Sequence, residues 1–321
     1  MKKIFLLGLI AVAGLSSCDK VENAYPPAPP GSGGYELYPD GDSTHYADNA
    51  KPTFTANANT DRNVMIEDFT GHKCVFCPAA AHEAENIEAA NPGRVFISTI
   101  HSGPGGIGNF QIVDVPGGYV HDFTCTEGIE IGLHLGDNLS GSPFTSNPSG
   151  TISRFDSGSG YPITAPSNWN STTASILTAN DLKVNIQSDK NYYPSTRGLF
   201  LHTEVEILDG SLSNELRIVV QLHEDSIIAP QTLPSADDTQ DGTVDGKDEL
   251  YVHREVLRAC IDGKALGAEL DAAHLDGNGK YYFDYIYELP AQYEADNAHL
   301  LIYVRDAVTE EIYQVIKQKI Q

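Results

Sequence analysis

Between Val64 and Ile100 the chain alternates apolar runs with one helix-forming stretch, and that order fixes a chain path. V-M-I-E-D-F at Val64–Phe69 reads as a short buried strand, which Gly71 breaks. C-V-F-C-P follows, and Ala79 to Ala90 is rich in strong helix formers until Asn91-Pro92-Gly93 stops it. Val95 to Ile100 reads as a second buried strand. Strand, helix and strand in this order make a βαβ unit, whose crossover is right-handed because both strands and helices twist that way. Downstream come a glycine-rich stretch from Ser102 to Gly118 and a short helix around Thr126 to Gly136. A strand from Ser149 to Phe155 and a closing helix from Trp169 to Ala179 complete an α/β segment spanning residues 62–180.

From Asp181 the pattern changes. L-K-V-N-I, L-F-L-H-T-E-V-E-I-L, L-R-I-V-V-Q-L-H, Y-Y-F-D-Y-I-Y-E-L and H-L-L-I-Y-V-R are rich in β-branched and aromatic residues, and several alternate with period two. Turn signals such as Asp209-Gly210 and Asp276-Gly277-Asn278-Gly279 separate them. Residues 181–321 are therefore expected to form an all-β sandwich of Greek-key type. No internal repeat is evident.

The N-terminus carries an address. Two lysines, an apolar run from Ile4 to Leu15 and L-S-S-C ending at Cys18 form a secretory signal over residues 1–17. The run is too short to cross ~30 Å of hydrocarbon permanently. Small residues directly before a cysteine match a bacterial lipobox, so Cys18 is the expected lipidation site and the membrane the expected partner, through two or more acyl chains. Residues 18–61, with Y-P-P-A-P-P-G-S-G-G and few core formers, read as a flexible tether. The net charge of −24 argues against nucleic acid, whose phosphates would be repelled, and against direct docking on anionic headgroups.

Of five cysteines, Cys18 is assigned to lipid, Cys74 and Cys77 form a C-x-x-C, and Cys125 and Cys260 stand alone. An exported chain can hold disulfides, and Cys74–Cys77 is the obvious pair; whether Cys125 meets Cys260 cannot be read from spacing. At a helix start, free N–H groups and the helix dipole favour a thiolate on Cys74, with His72 and Lys73 adding positive charge and Cys77 placed to resolve a mixed disulfide. Zinc would need two further ligands, and none sits at finger spacing; Pro78 after Cys77 excludes haem attachment. His101 reads as a surface or capping residue outside the site.

The stretch V-M-I-E-D-F-T-G-H-K-C-V-F-C-P resembles the thioredoxin superfamily in its strand, turn, C-x-x-C and helix layout. The resemblance implies a thioredoxin-like domain over residues 62–180. It places Asp68 at the buried aspartate that assists proton transfer, and Pro148, with Pro143 as second choice, at the cis-proline facing the disulfide. This chain departs from the pattern with Lys73 before the first cysteine and Val75-Phe76 between the two. Since redox potential depends on that dipeptide, oxidant, reductant and inert disulfide all stay open.

Asp237 to Asp248 reads D-D-T-Q-D-G-T-V-D-G-K-D. Hard oxygens from Asp237, Thr239, Asp241, Thr243, Asp245 and Asp248, with Gly242 at the turn, fall at EF-hand-like intervals and suggest a weak calcium site. Thr239 and Asp248 depart from that pattern and the flanks are not helical, so a solvated acidic loop is the competing reading.

The whole chain resembles the outer membrane protein 28 family of Bacteroidetes lipoproteins. The residues that carry this are the lipobox, D-F-T-G-x-x-C-x-x-C-P, P-S-G-T-I-S-R at Pro148 to Arg154, Q-L-H-E-D at Gln221 to Asp225 and Y-V-H-R-E-V-L-R-A at Tyr251 to Ala259. The resemblance implies a lipid-anchored outer-membrane protein with a thioredoxin-like domain followed by a β-sandwich. Its expected role is binding of an envelope protein or ligand, with a tethered thiol–disulfide oxidoreductase as the alternative. His253, Arg254 and Arg258 mark either a polar contact surface or a sandwich turn with a salt bridge.

Overall fold

The computed structural model describes residues 34–212, 215–234, 242 and 245–321. The signal, Cys18 and four of the expected calcium ligands (Asp237, Thr239, Asp241 and Thr243) lie outside the described residues.

Residues 34–61 are not the spacer their composition suggests. A helical turn at Tyr35–Leu37 and α1 (Ser43–Asn49) bring three tyrosines together. Tyr38 meets Tyr46 edge-on at 5.3 Å, and Tyr46 lies 4.5 Å from Phe200 with its hydroxyl 2.7 Å from the His202 ring. Asp42 caps α1 by accepting from the Thr44 and His45 amides at 2.9 and 3.0 Å. Three large rings supply the apolar area that proline, glycine and aspartate lack.

The α/β segment begins with β1 (Val64–Phe69), buried along its whole length. α2 (Cys77–Ala90) starts two residues earlier than its alanines suggest, because Pro78 is well suited to a first helical turn that needs no amide hydrogen. β2 (Val95–Ile100) runs parallel to β1, with Val64 opposite Val95. α3 (Thr126–Leu133) continues into a wider turn at His134–Asn138. β3 (Ser149–Ile152) and β4 (Ile163–Thr164) then add antiparallel on the other side of β1, and α4 (Trp169–Ala179) closes the segment. Val64 and Ile66 point to Ala80, Ala84, Ile87, Trp169 and Ile176 of α2 and α4. Asp68, two residues on, shares that face by strand alternation. Gly150 is needed where β3 crosses under Trp169, since a Cβ there would meet the Glu67 carbonyl and the indole ring.

The chain continues through β5 (Val184–Tyr193), β6 (Gly198–Ile207), β7 (Leu216–Glu224) and the two-residue strands β8 (Ile227–Ile228), β9 (Gln231–Thr232), β10 (Lys247–Asp248) and β11 (Val252–His253). β12 (Val256–Cys260), β13 (Ala268–Glu269), β14 (Lys280–Glu288), β15 (Ala298–Asp306) and β16 (Ile312–Lys319) follow. β14, β6 and β5 form a three-stranded antiparallel sheet. It packs through Leu199, Leu201 and Val205 against Ile218, Val220, Leu222, Leu300, Ile302 and Val304 of β7 and β15. This is a sandwich core, but its second layer is not a separate sheet. The strand order β16-β15-β7-β12-β2-β1-β3-β4 runs unbroken across the expected boundary at residue 180. The junction is a parallel pairing of β12 with β2, Val256 opposite Thr99, and the Thr99 amide donates to the Glu255 carbonyl at 2.8 Å. The molecule is mixed α/β with strands predominating.

Candidate functional site

Cys74 and Cys77 form a disulfide, with an S–S distance of 2.10 Å and Cα atoms 5.4 Å apart. The Cys74 amide donates to the Gly71 carbonyl at 2.9 Å, and Cys77 opens α2. Both cysteines are buried, at 2% and 1% exposure, while Phe76 between them is 70% exposed.

Two elements wall in the turn. From the glycine-rich stretch, the Phe110 carbonyl accepts from the Lys73 amide at 3.0 Å, and the His72 Nε2 lies 3.0 Å from the Ile112 carbonyl. Lys73 Nζ pairs with Asp114 at 2.9 Å. Burial pushes the His72 ring below its ordinary value, which disfavours its charged form. Neither residue is the free positive charge beside Cys74 that their positions suggested. From the C-terminal half, Gln231 is buried and donates its amide to the carbonyls of Cys74 at 3.1 Å and Gly71 at 3.4 Å. The Thr232 amide donates to the His72 carbonyl at 2.8 Å.

Beneath the disulfide lies a cavity lined by Asp68, Cys77, Glu85, His101, Tyr251 and His253, among others. Asp68 is wholly buried and neither carboxyl oxygen has a hydrogen-bonding partner among the described residues. Burial, helped by the negative charge of Glu85, pushes it up to about 7. His101, read from its sequence position as a surface or capping residue, is 3% exposed with both ring nitrogens unpartnered among the described residues. Its ring stacks on Phe123 at 4.7 Å, and Phe123 lies 4.4 Å from His253. Burial holds His101 well below the usual histidine range, and His253 is likewise lowered, to about 3, mainly by burial. Sequence reasoning missed His101 and left His253 undecided. The only local signal was that His101 follows directly on a buried strand.

The other expected site residues are placed as follows. The Asn147–Pro148 bond is cis and leads into β3, where Ser149 pairs with Phe69 at the end of β1; Pro143 is exposed. Arg258 forms the salt bridge of a strand, 3.0 Å from Glu224, and Arg254 lies 3.5 Å from Glu85 at the cavity edge. Asp245 accepts from the Lys247 amide at 3.0 Å, and Asp248 is buried in β10, accepting from the Leu250 amide at 3.0 Å. Among the described residues no group of three or more acidic, histidine or cysteine side chains is arranged to hold a metal. Cys125 and Cys260 are both thiols; Cys125 accepts from the Gly128 amide at the start of α3, and burial pushes it to about 12. No helix among the described residues is long and apolar enough to cross a membrane.

No curated protein matches the chain. Among solved structures, HBP35 of Porphyromonas gingivalis superposes with a TM-score of 0.58 at 15% identity, over 82% of this chain and 77% of that one. That is a likeness of fold. A protein of Agrobacterium tumefaciens gives 0.47 at 11% identity, over 83% of this chain and 97% of that one. A domain of the outer membrane lipoprotein Omp28 from Porphyromonas gingivalis gives 0.29 at 20% identity, over 44% and 90%. The family described as Outer membrane protein Omp28 matches residues 142–321, more than half of the sequence, including β3 and every element that covers the disulfide from the C-terminal side. The chain therefore belongs to the outer membrane protein Omp28 family.

Proposed function

We propose that this protein is anchored at the outer membrane through lipid on Cys18 and carries a thioredoxin-like thiol–disulfide exchange centre at Cys74 and Cys77. Support for the thioredoxin-like reading comes from the placement of the turn between β1 and α2 and the position of Asp68 on the helix-facing side of β1. The observation that carries the exchange reading is Asp68 itself. A buried carboxyl without partners destabilises a fold, and a disulfide serving only as a staple has no use for one.

In the reducing direction, the Cys74 thiolate attacks a substrate disulfide and forms a mixed disulfide, releasing one substrate thiolate. Cys77 then gives its proton to the Asp68 carboxylate and attacks Cys74. The Cys74–substrate bond breaks, its electron pair leaves on the second substrate sulfur, and the Cys74–Cys77 bond is restored. The substrate disulfide is reduced by two electrons and the protein dithiol oxidised by two.

Alkylation after equilibration in defined thiol–disulfide buffers tests this. A midpoint between about −120 and −270 mV is expected, whereas a pair that stays oxidised below about −300 mV behaves as structure. The second result would favour a binding protein with a fixed staple, a reading that the 2% exposure of Cys74 supports.

A further inference from the structure

Asp68 and His101 are the two wholly buried side chains of the cavity whose polar atoms all lack partners among the described residues. A carboxyl with two free oxygens and an imidazole with two free nitrogens have complementary needs, because either ring nitrogen can donate or accept. Buried polar atoms are almost always satisfied, and the cavity that both side chains line is where ordered water supplies the missing bonds. We propose that Asp68 and His101, bridged by water across this cavity, act as one proton-sharing pair beneath Cys77.

The surroundings suit a pair that carries no net positive charge. On the α2 side stand Cys77 and Glu85, the latter at the rim against Arg254. Tyr251, His253 and Glu255 close the cavity from the C-terminal half, with Gln231 above them. His72 lies 6.5 Å and His253 5.8 Å from the His101 ring, and Phe123 covers its face. These neighbouring imidazoles and the positive charge of Arg258 all disfavour a proton on His101 beyond the neutral form, after burial itself. The ring is therefore a hydrogen-bond donor to an ionised Asp68 and an acceptor from a protonated one, with no charge of its own to desolvate.

The role in exchange rests on the reading above: the proton leaving Cys77 is taken up by the pair, so His101 is a positioning residue that sets how readily Asp68 accepts it. The pairing itself exists in the oxidised protein and is testable without turnover. In oxidised wild type, the ring nitrogen shifts of His101 should move with the ionisation of the Asp68 carboxyl, both followed by NMR. In His101→Leu the carboxylate loses its donor, so the Asp68 midpoint should rise by roughly one pH unit. His101→Gln, which keeps a donor, should restore most of it. Ring shifts that stay flat through the Asp68 ionisation overturn the proposal even if the leucine variant fails to fold, and so does an unchanged midpoint in a folded leucine variant. A pair confirmed by NMR in a protein that exchanges no disulfide would sink the redox reading and leave the pair standing.

Discussion

Asp68 ties the chemistry of single residues to the stability of the fold. Its carboxyl is raised from 3.8 to about 7 by burial and by Glu85, so the folded protein binds a proton there that the unfolded chain releases at lower pH. Between those values the native state holds more protons than the unfolded state, and stability falls as pH rises. Asp68→Asn removes the titration while keeping the shape. The stability of the variant minus that of wild type should therefore grow by on the order of 3–4 kcal/mol between pH 4 and pH 8, read from urea denaturation of the oxidised proteins. Titrations elsewhere occur in both proteins and cancel in the difference. A gap that does not change with pH would mean that the Asp68 carboxyl keeps its ordinary ionisation in the folded protein, against the effect of burial and Glu85. Glu310 is the opposite case: against its own burial, the hydrogen bond with His134 and the charges of Arg154 and Arg305 hold it at about 2. It contributes stability above the ordinary carboxylate range that disappears as pH drops toward 2.

At the scale of elements, the covering of the disulfide is made by strands too short to hold themselves. Among the described residues, β9 pairs only with β10, and β8 only with β11. What pins β9 to the C-x-x-C turn is the Gln231 amide and the Thr232 backbone. Gln231→Ala removes the second donor from the Cys74 and Gly71 carbonyls, which keep the Cys77 and Cys74 amides, a loss of about 1–2 kcal/mol that falls on local opening more than on global unfolding. Reduction by dithiothreitol, quenched by alkylation, should be roughly 5- to 30-fold faster than in wild type, with the urea midpoint little changed; equal rates would show that the strap does not limit access. The sequence makes the covered elements legible and the covering ones illegible. Val64–Phe69, Val95–Ile100 and Trp169–Ala179 have the bounds their patterns predict, because each is a continuous apolar or helix-forming run with a stop. The cysteine pair was readable from its C-x-x-C spacing, and Asp68 only through the resemblance that singled it out. His101 was not, since its burial is created by Phe123 and His253, the latter more than a hundred residues away. The same reason hid the packing of Tyr35, Tyr38 and Tyr46: their cover is Phe200 and Tyr193, which no local pattern reveals.

Across the whole molecule, the change of sequence pattern at residue 180 does not interrupt the large sheet. β12 completes the edge of β2, and the Glu67–Arg154 pair is locked from the other half. Arg154, wholly buried, places Nη2 2.7 Å and Nε 2.8 Å from the two Glu67 oxygens, and its Nη1 reaches Glu310 in the turn between β15 and β16 at 3.3 Å. Glu310 in turn holds Arg305 at 2.6 Å and His134 at 2.9 Å. Such a network gains little over apolar packing when intact, but removing one member strands a buried charge, at about 3–5 kcal/mol. Arg154→Met should therefore lower the stability of the entire chain by that amount, although position 154 lies in the first half. Two probes distinguish this from a local effect: the fluorescence of Trp169 reports the α/β segment, and an extrinsic label on the exposed Tyr282→Cys position of β14 reports the small sheet. If the sheet makes the molecule one cooperative unit, both probes give coincident urea transitions in the parent and both shift together in Arg154→Met. A transition in which Trp169 moves and the β14 label does not would divide the molecule at residue 180 after all, and the shared edge of β2 and β12 would then be a contact between two independently stable parts.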